Sequence, residues 1–356
     1  MHTRVRRAGL ATLAAALLLT ASACGNDNTD DEGSASDATV PEEEAGSLEG
    51  SISISGSSTV EPISTAVAEA FRRQADGVDI TVEGPGTGDG FELFCGGETD
   101  ISDASRPIDE DEIAACEESG VEFIELEVGI DGISVITSPD NALECLNFAD
   151  LYALIGPESE GVDNWSGAQD LATELGSDTE LPDEGLTITA PGEESGTYDS
   201  FIEIALGDIA EARLEEGAIT EDQAETTRTD YAAQSDDNAI IEGVAAEAGG
   251  LGWVGFAFAD LADNVKKMPV AAEPGGDCVE PSAETIQDGS YPISRSLYIY
   301  VNKAKAEESK ALTAFVDFYL EGLSDFVEGA DYIALADDAG TTTAWADKTT
   351  GTQVTE

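Results

Sequence analysis

Short apolar runs alternate with amphipathic segments along most of this chain. Residues 48–56 (LEGSISISG) have the composition of a strand, whereas 60–74 place their apolar residues at helical spacing. Strands that alternate with helices in this way indicate an α/β fold with mostly parallel pairing. Two strongly β-type runs, 131–139 (DGISVITSP) and 291–303 (YPISRSLYIYVNK), are placed to cross between two domains.

The N-terminus has the pattern of an export signal. Three early arginines are followed by an apolar run over 8–19 and by small residues that lead into Cys24. This resembles a bacterial lipoprotein signal, in which the cysteine thiol carries a diacylglycerol. An ordinary secretory signal is the alternative, because Ala21 stands where leucine is usual. We expect a signal peptide over 1–23 and an acylated cysteine with a disordered acidic stalk over 24–47, which holds the protein at the outer face of the cytoplasmic membrane.

The cysteines fit an oxidising compartment. With Cys24 lipidated, an even number is left, at spacings that match no zinc motif. Three pairings, or free buried thiols, are open from the sequence. We favour Cys95 with Cys116, across one βα unit, and Cys145 with Cys278, near the end of an inserted domain.

The charge balance narrows the class of partner. The net charge is −60, from 75 acidic and 15 basic residues. Nucleic-acid binders need clustered Lys and Arg, so this class is excluded. Surface carboxylates are largely screened beyond about 8 Å at physiological ionic strength, so the acidity is compatible with a buried anion site.

Three similar loops suggest such a site. GSSTV at 56–60, GPGTGDGF at 84–91 and ESGTYDSF at 194–201 each combine glycines with Ser or Thr and run into a helix-like segment. This composition aims backbone N–H groups and hydroxyls at a small anion. One such loop is more often a plain turn, but three at strand-to-helix junctions suggest one oxyanion held from several sides.

In this order and setting the loops resemble the phosphate-binding proteins of ABC-type phosphate importers, over residues 50 to about 340. The most specific stretches are GSSTVEPI, GPGTGDGFELFCGGETDISDASRPI, ESGTYDSF and YPISRSLYIYVN. The resemblance implies a type II, two-lobed periplasmic-binding-protein fold, with two hinge strands and a mostly parallel sheet flanked by helices in each lobe. Lobe 1 is expected over 48–135 plus 291–356, and lobe 2 over 136–290. It also implies a monomer that delivers inorganic phosphate to permease subunits, without a cofactor or metal.

The same resemblance implies a set of ligand residues. They are Ser58, Thr59 and Val60 in the first loop, Thr87 in the second, Ser105 and Arg106 after the third strand, and Ser195, Gly196 and Thr197 in the last loop. Helix capping is an equal alternative for Ser58. For Thr59 and Thr87, capping and anion binding use the same orphan amides.

Two positions depart from the family pattern. Pro191 stands where the best-known members have an arginine, and Ser105 stands where they have a carboxylate that accepts the proton of phosphate. We hypothesise that Arg106 supplies the missing cationic fork, with Arg295 as the next candidate. The candidate proton acceptors are Asp103, or Asp236 and Asp237.

An enzyme is disfavoured. The one histidine, His2, lies in the predicted signal peptide, so the mature chain contains no Ser-His or Cys-His pair. The alternatives that stay open are a binding protein for sulfate, molybdate or a phosphorylated metabolite and, more distantly, an exported phosphatase.

Overall fold

The computed structural model describes residues 38–41, 45–193 and 195–352. The predicted signal peptide, Cys24 and most of the predicted stalk lie outside these residues. Within them, no helix has the length and apolar character needed to cross a membrane.

The first part of the chain alternates strands and helices, as predicted. The strands are β1 (Gly50–Gly56), β2 (Val78–Glu83), β3 (Ile101–Ala104) and β4 (Phe123–Thr137), and the helices between them are α1 (Glu61–Arg72), α2 (Thr87–Cys95) and α3 (Glu110–Ser119). Local sequence explains the helix starts: Pro62 lies in the first turn of α1, and Asp109 and Glu112 form a capping box at α3.

The middle part is richer in short elements. It contains β5 (Leu146–Asn147), α4 (Phe148–Ile155), α5 (Gln169–Glu174), β6 (Thr187–Pro191), α6 (Gly196–Phe201), α7 (Gly207–Glu215), α8 (Glu221–Ala224), β7 (Ala232–Gln234), α9 (Asp237–Ala246) and β8 (Gly250–Gly255). Single 3₁₀ turns lie at Pro157–Ser159 and Trp165–Ala168, and a π-helical turn over Ile202–Leu206 joins α6 to α7.

The last part returns to the central sheet. It contains α10 (Phe256–Leu261), β9 (Lys266–Lys267), β10 (Val270–Ala271), α11 (Ala283–Gln287), β11 (Ser294–Asn302), α12 (Lys303–Glu308), α13 (Lys310–Glu321), α14 (Leu323–Gly329) and α15 (Ala339–Asp347).

The main sheet is mixed. Its order is β2-β1-β3-β11-β4-β8-β6-β7, with β9 beside β4 and a separate β10-β5 pair. Parallel pairs lie on both sides, among β1, β2 and β3 and among β6, β7 and β8. The long strands β4 and β11 form the antiparallel centre. The α/β prediction is confirmed, and the antiparallel centre arises because both strands run between the two halves of the molecule in opposite directions.

Two large apolar cores meet along β4. Ile124, Leu126 and Val128 belong to the core around β1, α1 and α13. Ile130, Ile133 and Val135 belong to the core around α4, α6 and β8. One strand therefore crosses from one core to the other, which is the arrangement expected of a hinge strand.

The segment before β1 differs from the sequence prediction. Ala38 and Val40 are buried in the first core. The amide side chain of Gln74 accepts from the Val40 N–H at 2.8 Å and donates to the Ala38 carbonyl at 3.0 Å. The prediction of a disordered stalk as far as residue 47 is therefore wrong for Ala38 and Val40, because both side chains pack in the first core.

Both predicted disulfide pairings are confirmed. Cys95 pairs with Cys116, with their Cα atoms 4.2 Å apart, and Cys145 pairs with Cys278, with their Cα atoms 6.0 Å apart. The first joins α2 to α3, and the second joins the chain near β5 to the segment before α11.

Asp103 is a fully buried carboxyl on β3. Ser64 of α1 donates to its Oδ1 at 3.0 Å, and Oδ2 has no hydrogen-bond partner among the described residues. Burial raises the pKa of Asp103 to about 8; the hydrogen bond from Ser64 lowers this pKa, and the charge of Glu61 raises it. The folded protein therefore holds a proton on this group at neutral pH.

This proton makes stability depend on pH. In the unfolded chain Asp103 titrates near its ordinary pKa of 3.8, so between about pH 4 and pH 8 the folded state binds a proton that the unfolded state has lost. The free energy of unfolding must fall as pH rises through this window. In Asp103→Asn, which mimics the neutral acid, this contribution is absent.

We expect denaturant titrations of the wild type and Asp103→Asn to show a stability difference that changes with pH. From about pH 5 to about pH 8 the wild type should lose roughly 2–4 kcal/mol relative to the variant. The comparison cancels the other titrating groups. Parallel pH profiles for the two proteins would contradict this account of Asp103.

Candidate functional site

The first predicted loop turns directly from β1 into α1. Gly56 has a φ of 151°, and a Cβ there would lie 2.0 Å from the carbonyl oxygen of Asp103, so the close approach of the two strands requires glycine. The Thr59 amide donates to Ser57 Oγ, and the Val60 amide donates to the Ser57 carbonyl, each at 3.2 Å. Both predicted backbone donors thus take part in the turn's own hydrogen bonds.

The second loop and the end of β3 lie beside the first loop. The Gly86 amide donates to the Gly56 carbonyl at 2.9 Å. Thr87, at the start of α2, accepts from the Ser105 amide at 3.2 Å, and the two hydroxyls are 3.1 Å apart. The fold therefore brings Thr87 and Ser105, two predicted ligands from separate segments, into contact.

Arg106 is already engaged by an acid. Its Nη1 and Nη2 donate to the two carboxylate oxygens of Glu112 at 2.8 and 2.7 Å, and the guanidinium lies 5.7 Å from the centre of the Phe91 ring. The hydrogen bond to Glu112 raises the pKa of Arg106. The side chain is 42% exposed. In this structure the fork that the sequence assigns to the ligand is occupied by Glu112.

The last loop caps α6 and touches the first loop. Ser195 Oγ accepts from the Thr197 amide at 3.2 Å, which is the N-cap contact expected at a helix start. Gly196 lies against the first loop, since a Cβ on it would be 3.7 Å from Thr59 Cα. Gly196, one of the predicted ligands, is therefore close to Thr59.

Two side-chain hydrogen bonds join α6 to the first loop. Ser58 Oγ donates to Asp199 Oδ2 at 3.1 Å, and Thr59 Oγ1 lies 3.1 Å from Ser200 Oγ. Burial raises the pKa of Asp199, and the hydrogen bond from Ser58 lowers it. The loop and the helix belong to different apolar cores, so these contacts connect the two halves of the molecule.

Arg295 lies at the centre of these contacts. Its Nη2 donates to Ser200 Oγ at 2.7 Å and to Thr59 Oγ1 at 3.2 Å, and its Nη1 donates to Glu203. Its Nε lies 3.8 Å from Asp131 Oδ2, and Arg295 pairs with Asp131 in the register of β11 and β4. Asp131 is buried, which raises the pKa of its carboxyl, while the charge of Arg295 lowers it.

An open cleft of about 420 Å³ lies beside Arg295. The described residues that line it are Thr87, Ser105, Arg106, Pro107, Glu203, Ile204, Arg295 and Ser296. Of the predicted ligands, Thr87, Ser105 and Arg106 line this cleft directly. Thr59 is joined to it through Arg295, and Gly196 packs against Thr59.

The aspartates predicted as proton acceptors lie elsewhere. Asp103 faces Ser64 in the core of the first half. Asp236 caps α9 by accepting from the Ala239 amide at 2.9 Å, and Asp237 accepts from the Gly255 amide at 3.4 Å. None of the three is among the residues that line the cleft.

Pro191 takes part in internal hydrogen bonding through its carbonyl. Pro191 is the buried last residue of β6, and its carbonyl accepts from the Tyr231 hydroxyl at 2.6 Å. The position where an arginine was expected thus belongs to the packing of the second half.

Sequence reasoning missed Asp131, Ser200 and Glu203. Asp131 carried a usable signal, because it is a lone acid within the apolar run VGIDGISVI, and a buried charge needs a partner. Ser200 and Glu203 carried no such signal in the sequence, because their contacts depend on where α6 and the π-helical turn after it pack against Arg295.

The arrangement is suited to hold an oxyanion. A guanidinium and several hydroxyls converge on one cleft, and these are donors that bind carboxylate, phosphate and related anions. Across the described ranges, no group of three or more His, Cys, Asp or Glu side chains is placed to hold a metal ion.

Comparison with known proteins gives a consistent result. A model of the PBP superfamily domain matches residues 34–322. The protein SphX of Synechocystis sp. is 37% identical over 294 residues, which cover 81% of this chain and 80% of SphX. The phosphate-binding protein PstS of Staphylococcus epidermidis is 30% identical over 287 residues, which cover 81% of this chain and 79% of PstS.

A solved structure is also similar. The crystal structure of a possible phosphate binding protein from Planctomyces limnophilus matches with a TM-score of 0.74 at 35% identity, over 85% of this chain and 99% of that chain. The expected binding-protein fold is thereby confirmed. This chain belongs to the PBP superfamily, in the family that includes the phosphate-binding protein PstS of staphylococci.

Proposed function

We propose that this protein captures inorganic phosphate in the cleft beside Arg295 and delivers it to an ABC-type importer. The observation that carries the proposal is the position of Arg295. It lies on a strand that runs between the two cores, and it donates to Thr59 from one half and Ser200 from the other. Arg295 would have the role of the arginine that the best-known family members carry at the position of Pro191.

Hydroxyl groups complete the set of donors. Thr59, Thr87 and Ser105 are buried around Arg295 and the cleft. A dehydrated phosphate requires a hydrogen-bond donor for nearly every oxygen lone pair it loses to water, and a hydroxyl supplies one without adding a charge. Arg106 lies at the edge of the same cleft, where its charge favours an anion even while Glu112 holds its fork.

Binding is expected to be coupled to lobe closure. The hydrogen bonds from Ser58 to Asp199 and between Thr59 and Ser200 join the two halves, so they must separate when the halves open. An anion that contacts Arg295 and both sides of the cleft would favour the closed arrangement, because it binds that state better. Such a protein carries out no reaction on its ligand.

We also propose the predicted lobes, 48–135 plus 291–356 and 136–290. The division of the apolar cores within β4 supports two lobes, although it lies between Val128 and Ile130, a few residues before the predicted boundary at 135. The chain would act as a monomer.

Lipid anchoring through Cys24 completes the proposal. Because Ala38 and Val40 pack in the first core, the tether between Cys24 and the folded part would be residues 25–37, which span at most about 45 Å. This length keeps the cleft near the outer face of the cytoplasmic membrane, where an importer would receive the ligand.

The direct test is isothermal titration of the mature protein with phosphate and, separately, with sulfate. We expect one phosphate to bind per chain, with much weaker sulfate binding, because the family resemblance favours phosphate and the cleft offers donors to a small oxyanion. Tight sulfate binding with no phosphate binding would favour the alternative ligand class. Binding of neither anion would refute the proposal.

A second test separates the two arginines. Arg295→Lys keeps the charge but loses the planar fork that reaches Thr59 and Ser200, so the phosphate affinity should fall by about tenfold or more, equivalent to about 1.4 kcal/mol. Arg106→Ala should have a smaller effect, because its fork is bound to Glu112.

Thermal unfolding of both variants controls for loss of structure. A larger loss of phosphate affinity in Arg106→Ala than in Arg295→Lys, with both variants folded, would return the role of the cationic ligand to Arg106.

A further inference from the structure

A second arginine lines the proposed anion cleft and keeps part of its guanidinium free. Arg106 and Arg295 both belong to the lining, and the cleft has a volume of about 420 Å³. At about 30 Å³ for each water molecule in the liquid, a cleft of this size holds more than the phosphorus and oxygens of one phosphate ion. One phosphate beside Arg295 therefore fills only part of the cleft.

The hydrogen bonds of Arg106 show which of its donors a ligand can use. A guanidinium carries five N–H groups. Nη1 donates to Glu112 at 2.8 Å and to the Pro107 carbonyl at 3.2 Å, and Nη2 donates to Glu112 at 2.7 Å. Among the residues that the structure describes, none accepts from Nε or from the second N–H of Nη2. These two N–H groups lie on one edge of the planar group, so Arg106 keeps a second fork.

The position of this second fork is fixed by its neighbours. The guanidinium lies 5.7 Å from the centre of the Phe91 ring, a distance typical of a cation–π contact. Glu112 binds the end of the guanidinium and is itself part of a capping box, since its Oε2 accepts from the Asp109 amide at 3.0 Å. The ion pair with Glu112 therefore does not have to break for an anion to bind the free edge.

Glu203 lies within electrostatic reach of both arginines. It accepts from Nη1 of Arg295. The hydrogen bond to Glu112 is the largest cause that raises the pKa of Arg106, and the charge of Glu203 is a smaller one. An anion that meets Arg295 alone also faces the Glu203 carboxylate. An anion that meets both arginines has two favourable charges against this unfavourable one.

We propose that Arg106 forms a second anion subsite in this cleft, which takes the second phosphoryl group of a condensed phosphate such as pyrophosphate. This rests on the proposed function, because the first phosphoryl group occupies the site of inorganic phosphate beside Arg295. The free edge of Arg106 matches two oxygens of a phosphoryl group. The link between the two groups holds the second one near Arg106 at high effective concentration, so this subsite adds affinity only for a two-group anion.

The test compares Arg106→Lys with the wild type and with Arg73→Lys. Arg73 directly follows α1, is exposed and does not line the cleft. Both substitutions keep the charge, and Arg106→Lys removes the fork from the cleft. Each protein is titrated calorimetrically with phosphate, with pyrophosphate and with methylenediphosphonate, whose P–C–P link does not hydrolyse to phosphate.

We expect the wild type to bind both two-group anions. The ratio of their affinity to the phosphate affinity should fall by about tenfold or more in Arg106→Lys, because a lysine cannot hold two phosphoryl oxygens in one plane. Arg73→Lys should keep the wild-type ratio. Methyl phosphate is larger than phosphate but has one phosphoryl group, so its affinity relative to phosphate should be the same in all three proteins.

Thermal unfolding confirms that each variant is folded. A wild type that binds phosphate but neither two-group anion would refute the second subsite and leave the proposed function intact. An unchanged ratio in folded Arg106→Lys would do the same. A wild type that binds none of these anions would refute both.

Discussion

The contact between Asp131 and Arg295 is the constraint on which the site depends. An arginine is charged at every accessible pH, and a largely buried guanidinium is costly unless acids and acceptors surround it. One acid, Asp131, is supplied by the neighbouring strand, directly opposite in the register of β4 and β11, and Glu203 supplies a second. The strands that join the two cores are therefore also the strands that fix the direction of the guanidinium.

An arginine on a strand that crosses between the lobes behaves differently on lobe closure from an arginine that belongs to one lobe. A cation at the position of Pro191 would move with the second half, whereas Arg295 lies on a crossing strand and meets both halves. It donates to Thr59, whose loop packs on the first core, and to Ser200, whose helix packs on the second. On the proposed function, closure completes the coordination of a cation that is already in place. Closure would then bring the hydroxyls of Thr59 and Ser200 to the ligand, whereas the charge of Arg295 would already be there.

The sequence predicted the parts of this molecule that local composition determines. The α/β order, the strands that cross between the halves and the three loops are all visible in short stretches of residues, whereas the sequence left the cysteine pairing open. Thr87 and Ser105, which the loop assignments proposed as ligands, line one cleft, and their role as ligands stays a prediction. The residues next to each arginine in the sequence could not decide whether Arg106 or Arg295 is the cationic ligand. Glu112 engages Arg106 from the first turn of the next helix, and Asp131 lies opposite Arg295 only through a strand pairing between segments far apart in the chain. Asp103 was visible as an acid near the end of β3, but its burial against α1 depended on packing.

The acidity of the chain bears on which arginine can meet an anion, because carboxylates compete for guanidinium donors. The chain has 75 acidic and 15 basic residues, and Arg106 gives both ends of its fork to Glu112. An arginine in such a protein is available to an anion only where the fold limits how many of its N–H groups the neighbouring acids can take. At Arg295 one acid, Glu203, accepts from Nη1, while Asp131 stays 3.8 Å from Nε and the Nη2 donors are directed to neutral hydroxyls. On the proposed function, the property that marks the ligand-binding arginine is the set of donors that the backbone geometry leaves for the cleft.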